Sequence, residues 1–461
     1  METRTANPLG YEKIGRLILR FSTPAIASNL LNAVYNIVDQ IFIGHGIGTS
    51  GIAATNIAFP LVTLTGAISI MLGVGSASNF NLSLGAGEHD KASKFAGNGL
   101  SMMVLCGAAL SALSLIFMNQ LLVLFGANSE IMPLAKQYTV IIALGIPFQV
   151  ITVGVCQVVR ADGSPNWAML SMMSGAVFNL IFDPVFMFVF GWGIRGIAVA
   201  TALSQVLSAA FALSYVARGM KTVKLEKRSF TLSRENAKAI CALGAAGFAN
   251  HIAMTLVNIV LNNTLKYYGD LSRYGSTVAL GAVGAISKIN VIFISCSVGL
   301  SQGCQPINGF NYGAKNFARV KKTLKSALIC VTVMSVLFFG LFQLFPRAII
   351  SIFGEGTPEY YEFATLYIRV FMFMTFANGL QPLVSGYFTA TGRAKVGMFV
   401  SLTRQVIFLI PLLLILPLFY GIDGAVYAGP IADTIAACLA AFFIAREFKR
   451  LDARIKTPGI T

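Results

Sequence analysis

LGAGEHDKASK, residues 84–94, has a partner 228 positions further on, YGAKNFARVKK at 312–322. Both are short polar stretches between long apolar runs, and both join a Gly-Ala turn to a basic tail. GIRGIAVA (193–200) returns at the same offset as GIDGAVYA (421–428), and ADGSPNWAM (161–169) faces ATGRAKVGM (390–398) at an offset of 229. Near the start, Asn36-Ile37-Val38 matches Asn258-Ile259-Val260 at 222. Shared apolar composition would create coincidences inside the greasy runs, not polar loops in register. The chain therefore reads as one unit written twice, with a longer loop around YYGDLSRYGS (267–276) absorbing the slip from 222 to 228.

Each unit holds six apolar runs: 17–43, 53–76, 95–118, 134–159, 167–190 and 196–217, then 238–263, 278–303, 324–345, 362–389, 396–419 and 425–445. A helix of about 20 apolar residues crosses a hydrocarbon core of ~30 Å. With 56% hydrophobic and 11% charged residues and a mean hydropathy of +0.74, lipid is the expected solvent. An even number of spans keeps both units in one orientation, related by an axis along the membrane normal. The expected fold is thus an all-α membrane protein of twelve transmembrane helices in two pseudo-symmetric six-helix bundles. Its parts would be residues 1–217 (helices one to six), a basic linker at 218–237, and residues 238–461 (helices seven to twelve). No short apolar core with a small-residue cleavage site precedes Leu17, so a cleavable leader is not expected.

The net charge of +16 invites a nucleic-acid reading, but its distribution argues for topology. Of 34 Lys and Arg, 26 fall on alternate segments: around Arg4 to Arg20, Lys91 and Lys94, Arg160, Arg218 to Lys238, Lys315 to Lys325, Arg393 and Lys395, and after Ala445. That asymmetry is the positive-inside pattern, placing both termini on the cytoplasmic side of an inner membrane. No nucleic-acid partner is expected. The seven cysteines are odd in number and include no C-x-x-C pair, and His45, His89 and His251 lack zinc spacing. No resident metal, cofactor or enzymatic group set emerges, and no GxxxxGK[ST] is present to drive a pump with ATP.

Against this background FNLIFDPVFMF (178–188) is unexpected, because a carboxylate at the centre of a membrane helix costs about 2.5–3.5 kcal/mol. Asn179 and Asp183 are four apart and share a helix face. Asp39 ends a polar stripe made with Tyr35, Asn36, Asn32, Asn29 and Ser28, and Thr201, Gln205 and Ser208 form another in the sixth run. At 1.5 Å per residue, Asp39, Asp183 and Thr201 all lie roughly 7–12 Å below the outer rim. Hard oxygen ligands at one depth suit Na⁺, and two close carboxylates favour keeping one proton between them. The plain alternative is a structural hydrogen-bond cluster, though two membrane acids are a costly way to join helices. Pro184 removes a backbone donor and frees the carbonyl of Leu180, while Pro24 offers a bend in the first helix. The second unit departs from the plan, with Leu261 and Leu412 at the positions of Asp39 and Asp183. Its own ionisable groups are Lys288, Arg369, Arg404, Asp433 and His251, and Arg404 with Asp433 would make an ion pair or meet substrate.

With the double repeat and these acids in place, the chain resembles the multidrug and toxic compound extrusion (MATE) family over essentially its whole length. The resemblance rests on VDQIFIGHGIGTSGIAATNIAFP (38–60), VVRADGSPNWAMLSMMSGAVFNLIFDPVFMF (158–188) and SQGCQPINGFNYGAKNFARVKK (301–322). It implies an antiporter in which inward Na⁺ or H⁺ flow expels small amphipathic, often cationic, drugs, and it implies a monomer in the bilayer. The family's cation site maps here onto Asp39, Asn179, Asp183 and Thr201, with Tyr35 and Asn36 beside them, and its proline bend onto Pro24. Some relatives carry acids on the seventh and tenth helices; FANHIAMTLVNIVLNN (248–263) and YIRVFMFMTFANGLQPLVSGYF (367–388) have none, so no second-half cation site is expected. Expected cavity liners are Phe148, Gln149, Gln157, Met172, Met173, Phe293, Gln302, Met374, Asn378, Gln381 and Arg404. A flippase of lipid-linked precursors with the same two lobes is the competing reading, since Lys288, Arg369 and Arg404 would suit a pyrophosphate.

Overall fold

The computed structural model describes residues 7–351 and 357–456; Arg4 of the basic amino terminus lies outside them. Each expected span corresponds to a helix, with 95–118, 167–190 and 324–345 overrunning their helix ends by one or two residues: α1 Ile14–Gly46, α2 Thr49–Gly85, α3 His89–Ile116, α4 Met132–Ala161, α5 Pro165–Val189 and α6 Ile194–Arg218. The second set is α7 Arg234–Asp270, α8 Ser276–Gly313, α9 Phe317–Leu344, α10 Pro358–Phe371 with Thr375–Ala390, α11 Ala394–Tyr420 and α12 Ile422–Lys456. Among the described residues ten helices are long and apolar enough to cross a membrane, and the two pieces of α10 together make an eleventh. The twelfth, α1, has the length at 33 residues, but Asn29, Asn32, Asn36 and Asp39 dilute its apolar character. Large side chains such as Leu124, Val189 and Phe419 stand 75–77% exposed, which lipid tolerates and water does not.

Three helices depart from regular winding. The run expected as one tenth helix is two segments bent by 47°. At the break the backbone ladder tightens to three-residue bonds, Phe373 N to Val370 O and Thr375 N to Met372 O, each at 3.1 Å, and Thr375 Oγ1 donates to Met372 O at 2.6 Å. In α5 the turn after Pro184 widens into a π-helix over Val185–Val189, absorbing the missing donor without ending the helix. A second π-helix, Thr403–Leu409, interrupts α11 at Arg404. By contrast α1 runs unbroken through Pro24.

Each half builds its own apolar core, one from Ile43, Leu72, Phe80, Ile146 and Ile197, the other from Leu265, Ile286, Phe342, Phe363 and Leu413. Two helices change allegiance along their length. The start of α1 (Leu17, Ile18, Phe21) packs with Leu300, Cys304 and Ile307 of α8, whereas its end, Ile43, joins the first-half core. In mirror image, Ile240 at the start of α7 joins the first-half core and Leu261 and Leu265 belong to the second. The halves thus exchange helix starts at the end of the bundle that carries both chain termini.

Glycines make that exchange possible. A Cβ on Gly75 would enter the backbone of Ile240, and one on Gly244 the backbone of Met71. Gly303, which the 228 offset pairs with Gly75, meets Ser22 of α1, and Gly85 and Gly313 press on the backbones at Phe310 and Leu82. Leu82 and Phe310 are themselves 228 apart, so the seam has the two-fold symmetry of the repeat.

The segment after α6 is strapped to the first half rather than hanging free. Asp162, 1% exposed, accepts from Tyr215 Oη and Lys221 N at 2.7 Å, Thr222 N at 3.0 Å and Thr222 Oγ1 at 2.5 Å. Further along, Asn98 Nδ2 donates to Ser229 O at 2.9 Å and Thr231 O at 3.0 Å. Removing a shared acceptor strands buried donors, so Asp162→Ala is expected to cost about 2–3 kcal/mol. Thermal unfolding in detergent checks it; an unchanged midpoint would contradict the strap.

Candidate functional site

The two membrane acids of the first half meet. Packing of α1 against α5 brings the carboxyls of Asp39 and Asp183 within hydrogen-bonding reach of each other. Asn179 Nδ2 donates to Asp183 Oδ1 at 2.8 Å and to Thr201 Oγ1 of α6 at 3.3 Å. The cluster is closed off, with Asp39 9% exposed and Asn179 and Asp183 each 1%. Tyr35 adjoins it.

Two acceptors in this cluster are unspent: Asp39 Oδ1 and Asn179 Oδ1 are buried without a hydrogen-bond partner. Buried orphan oxygens are rare because each forfeits its solvation. Grouped with Asp183 and the Thr201 hydroxyl, they form an all-oxygen set matched to a hard monovalent cation or to a shared proton. Among the described residues no three His, Cys, Asp or Glu side chains converge.

A cavity of about 490 Å³ opens on the other side of α1, between α1, α2, α7, α8, α10 and α11. Of the expected liners, Phe293, Gln302, Asn378, Gln381 and Arg404 stand on its wall. The others lie elsewhere: Phe148 is exposed, Gln149 accepts from Gln205 at 3.5 Å, and Gln157 is buried where Gly73 approaches. Met172 and Met173 are half-buried on α5, and Met374 sits in the break of α10. Lys288 and Arg369 are exposed and off the wall.

The polar stripe of α1 divides between two neighbours. Asn29, Asn32 and Asn36 line the cavity, while Tyr35 and Asp39 face the acid cluster. At 100° per residue the two sets lie about a quarter turn apart on one helix. A single rigid rod therefore carries part of both sites, and a rotation or bend of α1 moves them together.

Sequence reasoning passed over two residues here. Tyr138 of α4 looks onto Asp39, Asp183 and Tyr35. It lies six residues after Met132, about 9 Å below the rim, so the depth argument applied to the acids would have found it. Arg160, 4% exposed, reaches from α4 across the seam to Gln302 Oε1 of α8 at 2.6 Å, with no acidic partner among the described residues. Nothing in the sequence marks that crossing, because it depends on how the halves dock.

The MatE family model matches residues 24–185 and 252–415, one stretch in each half. Two curated relatives are multidrug export proteins MepA, from Staphylococcus haemolyticus and from Staphylococcus aureus strain NCTC 8325. Each is 25% identical, the first over 94% of this chain and 93% of the relative, the second over 93% of both. Among solved structures, the MATE multidrug transporter DinF-BH is 30% identical with a TM-score of 0.88, covering 97% of this chain and 98% of that one. A MOP superfamily transporter from Pyrococcus furiosus, at 22% identity and a TM-score of 0.89, covers 99% of this chain and all of the other, and shares the fold.

Proposed function

The chain belongs to the MatE family of multidrug efflux transporters, and on that premise we propose that it is a Na⁺- or H⁺-coupled antiporter of amphipathic compounds whose coupling site is Asp39, Asn179, Asp183 and Thr201. The observation that carries the reading is the meeting of two buried acids, Asp39 of α1 and Asp183 of α5, beside a face of α1 that lines the cavity. The end bearing both termini is the cytoplasmic one, by the distribution of Lys and Arg. With the glycine seam closed there, the state described here faces outward. Residues 1–217 and 238–461 are the two rocking bodies, and the strapped linker moves with the first.

The working cycle follows from electrostatics. A cation arriving from outside neutralises the Asp39–Asp183 cluster, allowing α1 to repack and altering the wall formed by Asn29, Asn32 and Asn36. A coupling of 1–3 kcal/mol between sites changes substrate affinity 5- to 150-fold, and the same coupling acts in reverse. Substrate is shed outward, the neutral cluster crosses to the inward state, and the cation leaves toward the cytoplasm. The flippase alternative asks for a cationic cavity. Among the described residues Arg404 is the one Lys or Arg on the wall, and it is already held by Asp433 at 2.5 Å.

The test is ethidium efflux from proteoliposomes under separately imposed Na⁺ and H⁺ gradients. One gradient alone is expected to drive accumulation against the ethidium gradient. Transport that ignores both would overturn the coupling, and no transport of any amphipathic compound, cationic or neutral, would overturn the exporter.

A further inference from the structure

The cavity beside α1 has a polarity that the cation site leaves unexplained. Among the described residues its wall carries Arg404 and His251 but no Asp or Glu. Asp433 stands behind Arg404, accepting from its Nε at 2.5 Å through Oδ1 and from Asn378 Nδ2 at 2.7 Å through Oδ2. Asp433 is 2% exposed and absent from the wall, so both its oxygens are spent out of a ligand's reach. The terminal nitrogens of the guanidinium make no hydrogen bond among the described residues, and 21% of the side chain remains open. The group is anchored through Nε and stands on the cavity wall, with its terminal N–H donors unspent.

The next residue supplies the opposite polarity. Gln405 is 4% exposed, gives Nε2 to Asn250 Oδ1 at 3.1 Å, and leaves Oε1 buried without a partner. Asn250 Oδ1 also accepts from Ser401 Oγ at 2.8 Å, which fixes the amide pair. Arg404 with its unspent donors and Gln405 with its orphan acceptor are thus consecutive residues of one π-helix, in a wall otherwise rich in Asn and Gln.

We propose that this cavity binds neutral amphipathic compounds through a carboxamide or lactam, its C=O receiving the terminal N–H groups of Arg404 and its N–H donating to Gln405 Oε1. Charge balance selects that class. A lone cation finds no counter-charge on the wall, and a lone anion would share one guanidinium with buried Asp433, leaving net negative charge in low dielectric. A neutral amide satisfies both the unspent donors and the orphan oxygen at no electrostatic cost. The inference rests on the exporter reading and names one class of its cargo.

The test uses the purified full chain in detergent and three probes sharing one fluorophore: dansylglycinamide (carboxamide), dansylglycine (carboxylate) and dansylethylenediamine (ammonium). The carboxamide is expected to bind about tenfold more tightly than either charged probe. Gln405→Leu, which removes the orphaned acceptor and one donor to Asn250 Oδ1 while Ser401 Oγ still serves that oxygen, should weaken the carboxamide about tenfold and move the others less than about threefold. The double variant Arg404→Met with Asp433→Asn, which strands no charge, should remove the preference. Tightest binding by either charged probe, or indifference to Gln405→Leu, overturns the inference. Binding is read without a gradient, so a chain that exports ethidium yet shows no carboxamide preference refutes this proposal and leaves the exporter standing.

Discussion

Asp39→Asn and Asp183→Asn are each expected to reduce gradient-driven efflux to the level of passive leak while leaving the protein folded. Asn keeps the shape and one oxygen of Asp, so Asn179 Nδ2 still finds an acceptor at position 183, where the native bond is 2.8 Å. What is lost is the charge that a proton or Na⁺ must cancel. A tenfold inward gradient of the coupling ion supplies about 1.4 kcal/mol, which in one-for-one exchange supports about tenfold accumulation of ethidium. An uncoupled carrier accumulates nothing. Burying a neutral amide costs less than burying a carboxylate, so thermal stability should hold or rise. Ethidium transport in proteoliposomes is the measurement, with unfolding temperature as the control. Full accumulation in both variants would remove Asp39 and Asp183 from the coupling site.

Gly244→Leu and Gly85→Leu should jam the transporter with its terminus-bearing end open. Both glycines lie where a Cβ would overlap the backbone of the opposite half, at Met71 and at Phe310. Backbone cannot rotate away as a side chain does, so the halves must separate. About 3 kcal/mol against closure shifts the balance between states more than 100-fold. Spin labels at Lys91 and Lys322, both exposed beside the repeated loops, would report a longer distance in the variants. Gly284→Leu is the matched control on α8, because nothing lies within 4 Å of its added Cβ. An unchanged distance in Gly244→Leu would mean that the seam is not the closing surface.

Much of the fold was legible because lipid enforces it. Twelve apolar runs and a polar-loop repeat led to twelve helices in two sets of six, with boundaries that moved mainly outward as polar ends extended past the apolar windows. The break in α10 was not legible: YIRVFMFMTFANGLQPLVSGYF has no proline at Met372–Met374, and the kink arises from a tightened backbone ladder. Asp39, Asn179, Asp183 and Thr201 could be gathered in advance by depth, since rise per residue converts sequence distance into height in the membrane. Height carries no azimuth, however. The cavity side chains were chosen by type alone, and of those chosen Phe293, Gln302, Asn378, Gln381 and Arg404 stand on its wall.

Sequence by itself determined the solvent, the number and height of the helices, the duplication, and which residues are too polar for their surroundings. Tertiary structure decided that α1 and α7 begin in one core and end in the other, and that the stripe of α1 splits into Asn29, Asn32 and Asn36 on one side and Tyr35 and Asp39 on the other. It also decided that Asp433 serves Arg404 and Asn378 rather than the cavity. The physical reason is that helical periodicity fixes angles within one rod, whereas lipid and a neighbouring helix are equally apolar. A hydropathy pattern therefore cannot say which face meets which partner, and the glycine contacts that choose the partner exist only once the backbones touch.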